Sequence, residues 1–203
     1  MRAATVRPAR SQTLFALLDE SHTASSDEGP GAYTMAAAAL SDLSLDRCRA
    51  VMESLRLGGS QKLHWREESR GRRRLIIEAV ASLRVRHIVV TRPANVRERQ
   101  ERQRRLCLTR LLFELNSLGT TSVTLESRGG ADNNRDRRLL DALRAQRLIG
   151  SDVRIDHLPG PSESLLWIPD AVCGAIHAAH RGDGEHWRAL SADNSVQLIG
   201  MEG

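Results

Sequence analysis

Aromatic side chains are scarce: two Phe, three Trp and one Tyr make up 3% of the 203 residues. So few rings exclude base stacking as the main source of affinity for a nucleic-acid strand. Cysteine is sparse too. Cys48, Cys107 and Cys173 are odd in number, far apart and set among apolar residues, so they read as buried free thiols. They lack the spacing of a disulfide framework or a zinc knuckle, and none has an activating setting. No apolar run is long enough to cross a bilayer. Residues 1–12 hold arginines but no apolar stretch leading to a small-residue cleavage site, and they read as a flexible leader on a cytoplasmic chain. A phosphate loop of the Gly-x-x-x-x-Gly-Lys type, a Gly-x-Gly-x-x-Gly turn and a Gly-x-Ser-x-Gly elbow are all missing, which argues against P-loop, dinucleotide-binding and serine-hydrolase chemistry. Lysine is almost absent. Lys62 stands alone among 30 basic residues, which face 25 acidic ones for a net charge of +5. An arginine- and alanine-rich chain often reflects a GC-rich genome, so this balance permits an anionic partner without demanding one.

What is present is an alternation of strand and helix patterns. Residues 14–18 form an apolar strand, and 33–40, small and apolar, pair back on it as a hairpin. Leu45, Cys48, Val51, Met52 and Leu55 recur at helical spacing, as do Leu75, Ile76, Ala79, Val80 and Leu83. Residues 61–65 read as a short third strand, 87–90 as a β-branched strand, and 96–118 as the longest helix. Strands follow at 122–125 and 153–157, helices around 139–148 and 165–180, and a final edge strand at 196–199. The segment 25–31, rich in Ser, Gly, Pro and acid, is a turn or flexible loop. The pattern predicts one α/β domain over 13–203 with a partly parallel sheet and an opening antiparallel hairpin.

Within that frame three acids stand at element ends. Asp19 follows the first strand, Glu126 a central one, and Asp170 lies early in the late helix, just after Pro169. Ligands of open α/β sheets sit beyond the carboxyl ends of the strands, so neighbouring strands would bring Asp19 and Glu126 to one crevice. Oxygen donors from three elements suit Mg²⁺ or Mn²⁺, and such ions support in-line displacement at phosphorus. The plain alternative is a set of solvated strand ends and an acid favoured by the helix dipole.

Four segments occur in an order that resembles a bacterial family, domain of unknown function 3800, and in particular its actinobacterial branch. They are Leu17-Leu18-Asp19-Glu20-Ser21, Lys62-Leu63-His64-Trp65, Thr124-Leu125-Glu126-Ser127-Arg128, and the run from Glu163 through Trp167-Ile168-Pro169-Asp170 to Ala175. That family is similar to ribonuclease H-like folds. The resemblance implies such a sheet, with Asp19, Glu126 and Asp170 as metal ligands. Trp167 and Pro169 depart from the family pattern, which often has Gln before the late Asp and a small residue at the proline position.

The working expectation is a Mg²⁺- or Mn²⁺-dependent nuclease acting on DNA or RNA, with Asp19, Glu126 and Asp170 as catalytic metal ligands and His64 moving a proton or contacting phosphate. The alternative is a non-catalytic nucleic-acid- or protein-binding module on the same fold; a phosphoesterase for small phosphates is a weaker third option. Glu20 points to the opposite strand face from Asp19 and reads as a salt-bridged residue, while Ser21 returns to the Asp19 side. Glu67 and Glu68 read as solvent-facing. Asp132 or Asn133 caps the helix after Gly129-Gly130, with Asp132 or Asp136 as an alternative fourth ligand. Glu163 is a possible further member of the acidic cluster. His177 and His180, with His186 beyond, read as a solvated helix end. The arginines from Arg97 to Arg110, interleaved with Glu98 and Glu101, read as a solvated face with i,i+4 pairs; a phosphate-tracking ridge is the sharper alternative.

Overall fold

The structure, a computed structural model, describes residues 13–24, 31–94, 97–193 and 195–202. The leader at 1–12 and most of the loop at 25–31 lie outside the described residues. The chain opens with β1 (Leu14–Thr23) and β2 (Ala32–Ser41), paired antiparallel from Leu14↔Ser41 to Thr23↔Ala32. Helices α1 (Leu45–Ser54) and α2 (Arg70–Ser82) lead to β3 (Arg86–Pro93), antiparallel to β2. Then come α3 (Gln100–Ser117), β4 (Thr120–Glu126), α4 (Gly130–Ala145) and β5 (Arg154–Leu158). The chain ends with α5 (Trp167–His180), α6 (Glu185–Leu190) and β6 (Val196–Gly200). The sheet order is β5-β4-β1-β2-β3-β6, with β4 parallel to β1, β5 to β4 and β6 to β3. The expected mixed sheet with its antiparallel opening hairpin is present.

Each sheet face carries its own core. Leu17, Ala36 and Ala38 face Met52, Ile76, Val80, Trp167 and Val172, from α1, α2 and α5. Leu18, Met35 and Ala37 face Cys107, Leu111 and Leu140, from α3 and α4. Strand β2, buried from Ala32 to Leu40, carries four consecutive alanines, Ala36 to Ala39. Alanine favours helix by intrinsic propensity, yet here it is strand because β1 and β3 pair with both its edges. Its small side chains leave room for helices on both faces. All three cysteines are buried free thiols.

The strand expected at 61–65 is not formed. Leu63 and Trp65 are buried while Lys62 and His64 are partly exposed, an alternation that imitates a strand. The Trp65 N–H is instead taken by the Asp170 carboxylate, at 3.1 Å, and a one-turn 3₁₀ segment (Trp65–Glu67) follows. Residues 97–99 precede α3 rather than belonging to it, and residues 95 and 96 are outside the described set. With six residues, α6 is too short to show periodicity. Trp65 packs flat against α5 at Gly174, where an added Cβ would lie 2.1 Å from the indole ring. Gly174→Ala should therefore destabilise the fold by about 1–3 kcal/mol through overpacking, read as a lowered denaturant midpoint with an unchanged m-value.

Candidate functional site

Up to Leu18, β1 is flanked by β4 and β2; its last partner on β4 is Leu125. From Asp19 onward β1 keeps β2 alone, because β4 stops at Glu126. Asp19 is thus in mid-strand and not at a strand tip as expected: the hairpin partner, absent from any local reading, extends β1 to Thr23. The crevice still opens at Asp19, on the carboxyl-end side of two parallel strands. Leu18 and Leu125 belong to the core under α3 and α4, so Asp19 and Glu126, one residue on, face α5. α5 is pinned there by the Cys173 thiol, 3.7 Å from the Asp19 carbonyl oxygen. Its first turn brings in Asp170.

The three carboxylates act on one another. Desolvation holds the Asp19 carboxyl well above the usual range, and the charges of Asp170 and Glu126 push it further. The Glu20 N–H, donating to Asp19 Oδ1 at 2.8 Å, opposes this only in part. Asp170 is also raised, by desolvation first and by Glu126. The Trp65 N–H and the charges of Lys62 and His64 pull the other way. Lys62 Nζ donates to Glu126 Oε1 at 2.7 Å. The backbone at Gly160 closes on the same carboxylate: a Cβ there would lie 2.4 Å from Oε1. Because that contact is the far end of a flexible side chain, Gly160→Ala should cost less than about 1 kcal/mol while turning Glu126 off Lys62. The loss of the Lys62 contact would appear as an upfield or downfield change of the lysine ε-methylene resonances without a matching change in unfolding midpoint.

His64 starts the 3₁₀ segment and reaches Asp170 electrostatically, from a loop and not from a strand end. Among the described residues no group of three or more His, Cys, Asp or Glu is arranged to hold a metal ion; Glu126 is turned to Lys62 and Asp170 to the Trp65 amide. Lys62 was the residue that sequence reasoning left without a role. Its being the sole lysine was the available signal.

The other candidates are dispersed. Glu163 pairs with Arg49 at 2.9 Å and accepts the Leu165 N–H, so it is held outside the cluster. Helix α4 begins at Gly130, with Gly129 as its cap at φ +103°, so Asp132 and Asn133 lie inside the first turn and neither is the cap. Asn133 Oδ1 instead accepts the Arg128 N–H. Glu68 is not solvent-facing: it is largely covered and pairs with Arg72. His177 is not a solvated helix end but is buried, 3.2 Å from both Ser21 Oγ and Thr34 Oγ1. Burial pushes its pKa down to about 4, leaving a neutral imidazole. His186 is buried edge-on to Trp65.

Glu20 lies on the face opposite Asp19, in a buried ion network. Arg104 Nε is 2.6 Å from Glu20 and its Nη1 is 2.5 Å from Asp136, which also meets His157 at 2.9 Å. Asp136 is thereby engaged away from the Asp19 crevice. The arginine stretch is therefore not one solvated face. Arg102 pairs with Glu98 at i,i+4, whereas Arg104 is 2% exposed.

The whole is a mixed six-stranded α/β sheet, antiparallel through β1–β3, with β4 and β6 added parallel to β1 and β3 and with acids at the β1–β4 crevice. No family model and no curated protein matches the sequence. Among solved structures the chain is similar to a ribonuclease HII from Archaeoglobus fulgidus, seen in its complex with PCNA. The TM-score is 0.47 and the identity 14%, over 91% of this chain and 84% of that one. Among the described residues no helix is long and apolar enough to cross a membrane.

Proposed function

We propose that the chain is a divalent-metal-dependent nuclease whose centre is Asp19, Glu126 and Asp170. The observation that carries this reading is the unbalanced acid at the crevice: desolvation and the like charges of Asp170, Glu126 and Glu20 act on Asp19, and no cation among the described residues is paired with it. Hard oxygen donors under mutual repulsion are the chemistry Mg²⁺ or Mn²⁺ takes, the group that the resemblance to domain of unknown function 3800 implies; to hold it, Glu126 and Asp170 would turn from Lys62 and the Trp65 amide. When bound, such an ion supplies a Lewis acid and a water of lowered pKa.

The chain's own part follows from its geometry. Asp19 and Asp170 fix oxygen donors on the rigid elements β1 and α5. Glu126, on the end of β4, would join the centre by giving up its Lys62 contact, which would leave the ammonium free to meet an anionic substrate. His64, whose charge acts on Asp170, would hand a proton to the leaving oxygen. The test is a panel of labelled single- and double-stranded DNA and RNA with Mg²⁺, Mn²⁺ or chelator. Metal-dependent cleavage by the wild type is expected, and none in chelator; intact substrates under every condition would overturn the proposal.

The Lys62–Glu126 pair favours one second reading, a nucleic-acid- or protein-binding module in which the ammonium permanently replaces a cation. In that case Lys62→Met would lower stability and create no metal response, whereas a metal centre predicts a stronger metal response once the competing ammonium is gone.

A further inference from the structure

A groove leads from the carboxylate centre along the side of α5. Its volume is about 530 Å³, and its lining includes Ser21, His22, Arg66, Arg73, Arg181 and Asp170. That volume falls among sites of about 300–1,000 Å³ that take whole ligands, more than one phosphate requires. Among the described residues its charge is one-sided: the lining holds three arginines, and Asp170 is the one acid in it.

Many arginines of the described residues are neutralised by an acid. Arg49, Arg70, Arg72, Arg102 and Arg110 each meet a carboxylate. Arg66 and Arg181 are exposed, and neither has a carboxylate within 4.0 Å among the described residues. The Arg66 Nη2 contact is a neutral one, with Ser21 Oγ at 3.4 Å. Arg73 is fixed by donating to the Trp65 and Arg66 carbonyl oxygens, and it lies 5.4 Å over the Trp65 ring. Trp65 itself is 5% exposed and offers no face for a base. The groove therefore presents cations, imidazoles and hydroxyls, and no open Trp, Tyr or Phe face among the described residues.

We infer that this groove carries the sugar–phosphate backbone of a nucleic-acid strand as it leaves the carboxylate centre. The inference deepens the nuclease reading and rests on it. A phosphodiester brought beside three carboxylates is repelled, and cations on one side of the centre offset that repulsion and set the strand's direction. Arg66 and Arg181 bind phosphates, Arg73 holds the Trp65–Arg66 wall in place, and sequence is not read.

The test measures binding of a short labelled single strand by fluorescence anisotropy in chelator, across a salt series. Arg66→Ala, Arg181→Ala and their double variant are compared with Arg137→Ala, an exposed arginine on α4 across the sheet. Each groove substitution should reduce the salt slope by about 0.7, and the double variant should weaken binding roughly tenfold at low salt. Arg137→Ala should match the wild type. Unchanged slopes in the groove variants, or an equal loss in Arg137→Ala, would overturn the inference. So would displacement of the strand by inorganic phosphate at constant ionic strength, which marks a small-anion site. Binding through Arg66 and Arg181 without cleavage in any metal would defeat the nuclease reading alone. Cleavage with unaltered affinity in the variants would defeat the groove alone.

Discussion

Asp19→Asn is expected to lose nuclease activity by at least about 10²–10³-fold, the usual scale for removing one charge-stabilising group from a reaction centre, while its metal-free fold becomes more stable at neutral pH. The two effects have one origin. Desolvation, Asp170 and Glu126 raise the Asp19 carboxyl, and Asp170 is raised as well. A carboxyl whose folded pKa lies above its unfolded value binds more protons in the native state. Its contribution to stability is full below the unfolded pKa and is lost as pH rises through the folded one. The metal-free wild type should thus lose stability from these two groups as pH rises above about 4, and Asp19→Asn should flatten that decline. Each kcal/mol relieved raises the melting temperature by about 2–4 °C in a chain of this size. Calorimetry at several pH values in chelator checks the stability half, and a cleavage assay the other. An Asn variant that melts lower at neutral pH would remove the strained-acid account.

The second large effect belongs to the other face of β1. Arg104→Met should destabilise the fold by about 3–5 kcal/mol, because it leaves the buried Asp136 and the largely covered Glu20 without their shared cation. That corresponds to a fall of roughly 6–20 °C in melting temperature. Arg128 is a poor substitute, since its guanidinium is 3.6 Å from Glu20 and 3.8 Å from Asp136. Tyr33 reports the same field: its phenol is raised by burial and then by the Glu20 charge. Adding Glu20→Gln to Arg104→Met should restore part of the loss, giving a coupling energy in a double-mutant cycle. Additive losses in denaturant unfolding would mean that the two charges do not depend on each other.

Both faces of β1 were partly legible in the sequence. The alternation at Asp19-Glu20-Ser21 places Glu20 on its own side, and the helix and strand periods locate β4, α5 and the acids they carry. What local pattern does not encode is the length of a partner strand. Asp19 read as a strand tip because the apolar run stops at Leu18, yet β2 carries β1 on to Thr23. The buried arginine was open to discovery: Arg104, Leu108, Leu111 and Leu115 fall on one helical stripe and all are buried, so extending the leucine face back one turn points to Arg104. His177 was open in the same way, one turn beyond Cys173 on a buried face. The 61–65 segment failed for a tertiary reason, since its backbone N–H is satisfied by a carboxylate from over a hundred residues later.

The most direct measurement is a thermal melt of wild type and Asp19→Asn across a Mn²⁺ series, with Lys62→Met alongside. A cation held by the native state alone stabilises it by about 2.7 kcal/mol at one hundred times its dissociation constant. The wild type should therefore melt higher as Mn²⁺ rises, Lys62→Met should respond more strongly, and Asp19→Asn should not respond. Identical melts with and without Mn²⁺ in the wild type would contradict a common centre for Asp19, Glu126 and Asp170.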